Sequence, residues 1–301
     1  LDVNVSRVTV VTHGFDPFDD EGDSMLVLAE EMRSQIDSAN GGDHAWLFDY
    51  DSQKGFFDGT DSILPTEDQL GETGEVVLLF DWSQDSQHFS AGWVEAAGDA
   101  MFTMLTRLGF VDPQSASGAD LHFIGHGMGA VVTSEAVERL AYYNVPVDHL
   151  TYLDPHDFDQ SLVIDSAQRL DDHAALEGYG AAVWDNVEFS DVYYQTRGQN
   201  GSAMPDIVPE GRPIPGAYNF FVDTTNFLPM GSYDDTNVFG DHQYVWDGFY
   251  LSTVTGAQPQ TNESGGLTAD TPAPASAINP ATIGYAFTST LGVSRPAATF
   301  T

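Results

Sequence analysis

The sequence predicts an α/β domain on a mostly parallel, doubly wound sheet with cap or loop insertions. Three observations lead there. Short β-branched or apolar runs alternate with longer amphipathic stretches, the pattern of a parallel sheet covered by helices on both faces. The run Glu75–Phe80 (EVVLLF) is continuously apolar after its first residue, as a strand buried on both faces requires. A chain of 301 residues with 42% hydrophobic content is enough for a single such domain over 1–301.

The elements follow in order. Arg7–Val11 is a β-branched strand that ends at Thr12-His13-Gly14-Phe15. Met25–Ile36 places apolar residues at helical spacing, and Ala45–Tyr50 is a second strand. Glu75–Phe80 closes at Asp81-Trp82-Ser83, and residues 93–108 (WVEAAGDAMFTMLTRL) form an amphipathic helix. Strand 121–124, helix 128–143 and strand 149–153 come next, with Asp154-Pro155 after them. Asn186–Gln195 is a further strand, and 283–293 (IGYAFTSTLGV) is expected to return as the last one. Three segments interrupt this series. Residues 155–185 are an acidic insertion, and 256–281 form a Pro/Ala/Thr/Gly-rich surface loop. Residues 196–241, rich in Pro, Gly and aromatics, suit a cap or substrate-facing loop better than a regular element.

The charge balance excludes whole classes of partner. With 33 Asp and 13 Glu against 9 basic residues, the formal net charge is −37, and Lys54 is the only lysine. Such a surface repels nucleic acid and anionic membranes. It fits a saline or marine setting, where salt screens the self-repulsion. No transmembrane segment is expected, since no run approaches the roughly 18 apolar residues that a spanning helix needs. Cysteine is absent, which leaves the compartment open. The start at Leu1, close to the first strand, fits a processed, secreted bacterial protein.

The chemistry centres on residues 121–130, LHFIGHGMGA. An apolar strand runs into a small-residue turn and then a helix, the frame G-x-S-x-G of a nucleophile elbow. Gly125, Gly129 and Ala130 supply the small residues, while His126 and Met128 fill the variable places. The central position is Gly127, which has no side chain. A plain glycine turn is the bland alternative. A phosphate-binding turn fits poorly, because the spacing is not G-x-G-x-x-G and the chain is so acidic.

Acyl transfer also needs amide donors for an oxyanion, a base and an acid. His13-Gly14-Phe15 follows the first strand, where a second donor belongs; the amides of Phe15 and Met128 are the candidates, and His13 shapes the loop. Asp154, in TYLDP at the end of a strand, is the favoured acid. Asp191, inside the strand FSDVYYQ, is the alternative acid and points less conveniently. Only His156, His173 and His242 follow Asp154. His156 is too near it, His173 lies in the acidic insertion, and His242 in GDHQYVWDGFY has the order and context of a base.

Taken in order, THGF, FDWS, GHGMGA and YLDP resemble the lipase branch of the α/β-hydrolase superfamily. Pancreatic-type lipases carry an HGF oxyanion loop, a strand ending in DW, a GHSxGA elbow and an LDP acid. The likeness covers roughly residues 7 to 157, with His242 added by position. It implies an α/β-hydrolase fold, oxyanion donors at Phe15 and Met128, an acid at Asp154 and a base at His242. This chain departs from that branch at Gly127, in lacking cysteines, and in everything after residue 157.

The expected activity is carboxylic ester hydrolysis of the lipase/esterase type, on a small-molecule or polymeric ester with a lipid-like or aryl group. Loss of the nucleophile costs on the order of 10⁶ in turnover, so the chain as written is expected to be nearly inactive. The intact partners favour an inactivated serine esterase over a natural pseudoenzyme or a ligand- or cation-binding module. No cofactor is required and no metal site is expected. The acidic run 16–23 (DPFDDEGD) could take a structural calcium, but it lacks EF-hand spacing.

Overall fold

The computed structural model describes residues 3–15, 21–39, 44–57, 61–87, 91–156, 180–196, 210–222, 240–257 and 279–298. Strand β1 (Asn4–Thr12) carries Val8, Val10 and Val11 at full burial. β-Branched side chains fit a pleated surface packed on both sides, and this strand lies inside the sheet. It pairs in parallel with β4 (Thr73–Asp81) on one side and β7 (Asp120–His126) on the other. Beyond β4 lie β2 (His44–Asp51), parallel, and the short antiparallel edge β3 (Phe56–Phe57). Beyond β7 lie β8 (Val147–Leu153), β9 (Val187–Tyr194) and β10 (Tyr218–Phe221), all parallel. The order is β10-β9-β8-β7-β1-β4-β2-β3; a separate small pair joins β5 (Val111–Asp112) and β6 (Ser117–Gly118).

Alternation along the strands divides the core in two. Val8, Phe48, Leu78, Phe123 and Leu150 face α3 (Ala91–Arg107) and α4 (Gly129–Tyr142), meeting Met101, Leu105, Val132 and Leu140. Val11, Leu47, Leu79, Ile124 and Leu153 face the other way, toward Met25, Leu28 and Met32 of α1 (Glu21–Ala39). That second layer also holds Phe249, Tyr250 and Val254. They belong to a continuous run of α5 (Gly240–Tyr244), a π-helical turn Val245–Tyr250 and α6 (Leu251–Thr255). Between β4 and α3 sits the single turn α2 (Ser83–Ser86).

Two sequence expectations are corrected. Residues 283–293 form no strand. Gly284 turns with φ +64, and a Cβ there would strike Thr253; the segment winds instead into 3₁₀ turns at Pro280–Thr282 and Gly284–Phe287. The second concerns 196–241, which contains a regular element after all. Tyr218–Phe221 is an edge strand, and its Asn219 side chain holds the preceding turn, accepting from Ile214 N at 2.7 Å and donating to Ile214 O at 2.9 Å. Within the acidic insertion, Gly180 and Ala182 lie on α4: Ser134 Oγ donates to Gly180 O and accepts from Ala182 N, each at 3.1 Å. The rest of that insertion (157–179), most of the cap segment (197–209 and 223–239), most of the Pro/Ala-rich loop (258–278) and residues 16–20 of the acidic run lie outside the described residues.

Candidate active site

β7 ends at His126, the chain reverses at Gly127 with φ +55, and α4 begins at Gly129. A positive φ strains any L side chain, so the turn has the sharp geometry of an elbow. The flanking glycines are required by contact. A Cβ on Gly125 would strike the Gly129 carbonyl, and one on Gly129 would strike the His13 carbonyl. The turn is tied down from both sides. Gly127 N donates to Leu153 O at 3.0 Å, and Gly127 O accepts from Ala130 N at 3.2 Å and His156 N at 3.3 Å.

Asp154 closes β8 in a left-handed conformation, φ +46, with its amide donating to Tyr193 O at 2.6 Å. Its side chain is wholly buried. Oδ1 accepts from Gln195 N at 2.8 Å; Oδ2 accepts from Gln195 Nε2 at 2.7 Å and lies 2.6 Å from His242 Nδ1. A Cβ on Gly211 would strike Oδ1, so glycine is what lets that backbone close over the carboxylate. A carboxylate accepting from Nδ1–H leaves Nε2 as the basic nitrogen of His242. That nitrogen faces the elbow: a Cβ built on Gly127 would stand 2.7 Å from it and 3.2 Å from Cε1.

Burial pushes the Asp154 carboxyl up to about 7, although Gln195 pulls it down. Burial, with the charge of His156 adding to it, holds His242 well below the ordinary histidine value. Both shifts come from burial, which disfavours the charged form of each group. His126 packs behind the His242 ring, centroids 4.2 Å apart and planes tilted by 34°, with its Nε2 3.2 Å from the His242 carbonyl, and burial lowers its pKa too.

The 13–15 loop lies against the elbow. A Cβ on Gly14 would come within 3.0 Å of His126 O and 3.2 Å of Met128 N. The amide of Met128 and Gly14 therefore share one corner with Gly127. His13 is buried and shapes that corner, with Nδ1 3.0 Å from Gly14 O, Nε2 3.2 Å from Asp81 Oδ1, and its carbonyl accepting from Trp82 Nε1 at 2.9 Å.

No family model matches the chain, and no curated protein matches it. Among solved structures it is similar to the "putative cell surface hydrolase" of Lactobacillus plantarum WCFS1, at 9% identity and a TM-score of 0.36, covering 65% of this chain and 70% of that one. At that distance the fold is assigned on its own sheet. It is α/β-hydrolase-like.

Of the residues singled out from sequence, the structure gathers His13, Gly14, His126, Gly127, Met128, Asp154 and His242 around one turn. Asp191 is elsewhere. It is buried in β9, with Oδ1 2.9 Å from His149 Nε2 and 2.6 Å from Thr151 Oγ1, and Oδ2 accepting from Tyr193 at 2.7 Å. His156 stays at the rim, its ring 6.5 Å from that of His242, and His173 lies outside the described residues. Gln195 and Gly211 were not foreseen. No sequence signal marked Gln195: it is the pairing of β8 with β9 at Leu153↔Tyr193 that puts residue 195 beside Asp154. The partnership of Asp81 with His13 was equally hidden. Burial raises that carboxyl, but the hydrogen bond and charge of His13 and the bonds from Ser83 outweigh it, leaving the pKa at about 2. Among the described residues no group of three or more His, Asp or Glu is placed to hold a metal ion.

Proposed function

We propose that the chain is a carboxylic ester hydrolase of the lipase/esterase kind with Gly127 at the nucleophile position. One observation carries this: His242 is held through Nδ1 by Asp154 at 2.6 Å and presents Nε2 to the side-chain position of an elbow residue. With a serine at 127, His242 would take the hydroxyl proton as the oxygen attacks the ester carbonyl. Asp154 would hold the imidazolium, and the amides of Phe15 and Met128 would receive the oxyanion. That chemistry uses side chains and backbone amides alone and calls for no cofactor. With glycine no acyl-serine forms, and turnover falls by a factor on the order of 10⁶.

The net charge of −37 argues for a neutral ester, small or polymeric, over an anionic one, and against nucleic acid. An aryl or lipid-like group is suggested by the aromatic and apolar residues of 218–233. A secreted bacterial protein of a saline setting, with calcium at most structural, fits the composition.

The test is Gly127→Ser, assayed on p-nitrophenyl esters of short and long acyl chains. Cleavage that appears with the serine and disappears on adding His242→Ala supports the reading. A second reading, a ligand-binding pseudoenzyme, draws on the imidazole standing closer to position 127 than a Cβ tolerates. A folded but inactive serine variant would favour it.

A further inference from the structure

We propose that the chain as it stands hydrolyses esters slowly without a protein nucleophile, using water that His242 deprotonates in front of Gly127. The inference rests on the ester-hydrolase reading and changes only the attacking atom. A Cβ on Gly127 would meet Nε2 at 2.7 Å and Cε1 at 3.2 Å, inside ordinary contact, with Gly14 Cα next at 3.6 Å. The ring is fixed in that place. Asp154 holds Nδ1 at 2.6 Å, Gln195 holds Asp154 at 2.8 and 2.7 Å, and His126 backs the ring at 4.2 Å. His242 keeps 6% of its surface exposed, while Asp154 and His126 keep none. A basic nitrogen so fixed, facing a turn residue without a side chain, has every part of a general base except a protein hydroxyl to act on.

The step balances without any other reagent. The water oxygen bonds to the ester carbonyl carbon as its proton moves to His242 Nε2. The carbonyl π pair moves onto oxygen, at the corner of Phe15 and Met128. Collapse breaks the bond to the alkoxy oxygen, which takes the proton back from the imidazolium. Ester and water become acid and alcohol, and no covalent adduct arises. The corner and binding alone are worth roughly 10³–10⁴-fold over water when a nucleophile is missing, which sets the scale of the rate.

The experiment uses the full chain and p-nitrophenyl butyrate, with intact-mass analysis of the protein during turnover. Progress linear from time zero, no acyl adduct, and a loss of at least tenfold in His242→Gln and in Asp154→Asn support the inference. Gly127→Ala should lose the activity as well, because its methyl takes the place of the attacking water and offers no hydroxyl instead; the two triad variants keep the test alive should that one not fold. An acyl-imidazole adduct, or turnover indifferent to His242→Gln, would overturn it. Turnover in Gly127→Ser but none in the unaltered chain overturns this inference alone. No turnover in either, with both folded, overturns the ester-hydrolase reading itself.

Discussion

Asp81 shows how a residue remote from the elbow's own motif supports it. Its carboxylate meets His13 Nε2 at 3.2 Å and accepts from Ser83 N at 2.8 Å, and so steadies the loop that lies on Met128. Its pKa stands at about 2, below the ordinary 3.8. A depressed carboxyl stabilises the folded chain where it is ionised. That contribution is complete above 3.8 and is lost as pH falls toward 2. Asp81→Asn should therefore flatten the acid limb of urea-denaturation stability over that window, and an unchanged limb would contradict the account. The motif FDWS drew attention to this residue only by resemblance. Its partner His13 is 68 positions away, and the parallel pairing of β1 with β4 is what joins them. Gln195 was beyond reach for the same reason: its role depends on register across β8 and β9, which no local pattern encodes.

At the scale of elements, strands and helices were legible wherever hydrophobic periodicity was strong. β4, α3 and β8 came out within a few residues of EVVLLF, WVEAAGDAMFTMLTRL and HLTYL. The apolar content of IGYAFTSTLGV misled: residues 283–288 are all buried, and Gly284 with φ +64 bends the chain into 3₁₀ turns. The elbow itself was legible because its glycines are a steric necessity, a property of residue type alone. Gly125→Ala tests that. The added Cβ would press on the Gly129 carbonyl and on Thr133 Oγ1 at 2.7 Å, and overpacking of this kind costs about 1–3 kcal/mol. A clear drop in melting temperature is expected, and no change would mean that the strand-to-helix approach has room for a methyl group.

Over the whole molecule the charge dominates. Arg7, Arg33, Lys54, Arg139 and Arg295 each pair with an acid, Glu75, Asp37, Asp51, Glu135 and Asp148 among them, and the remaining acidic excess repels itself. Added sodium chloride should raise the melting temperature through screening, and a value independent of ionic strength would contradict this. The same scale is where the candidate site exists at all. His13–Phe15, His126–Met128, Asp154 and His242 come from four separated stretches, and only the parallel order β1-β7-β8 with the helical run after β10 brings them to one corner. The most direct test is stopped-flow cleavage of p-nitrophenyl butyrate by Gly127→Ser. A burst approaching one p-nitrophenol per chain, with an acyl mass on residue 127, is the predicted result. A folded variant that shows neither burst nor adduct would contradict the assignment of that corner to ester hydrolysis.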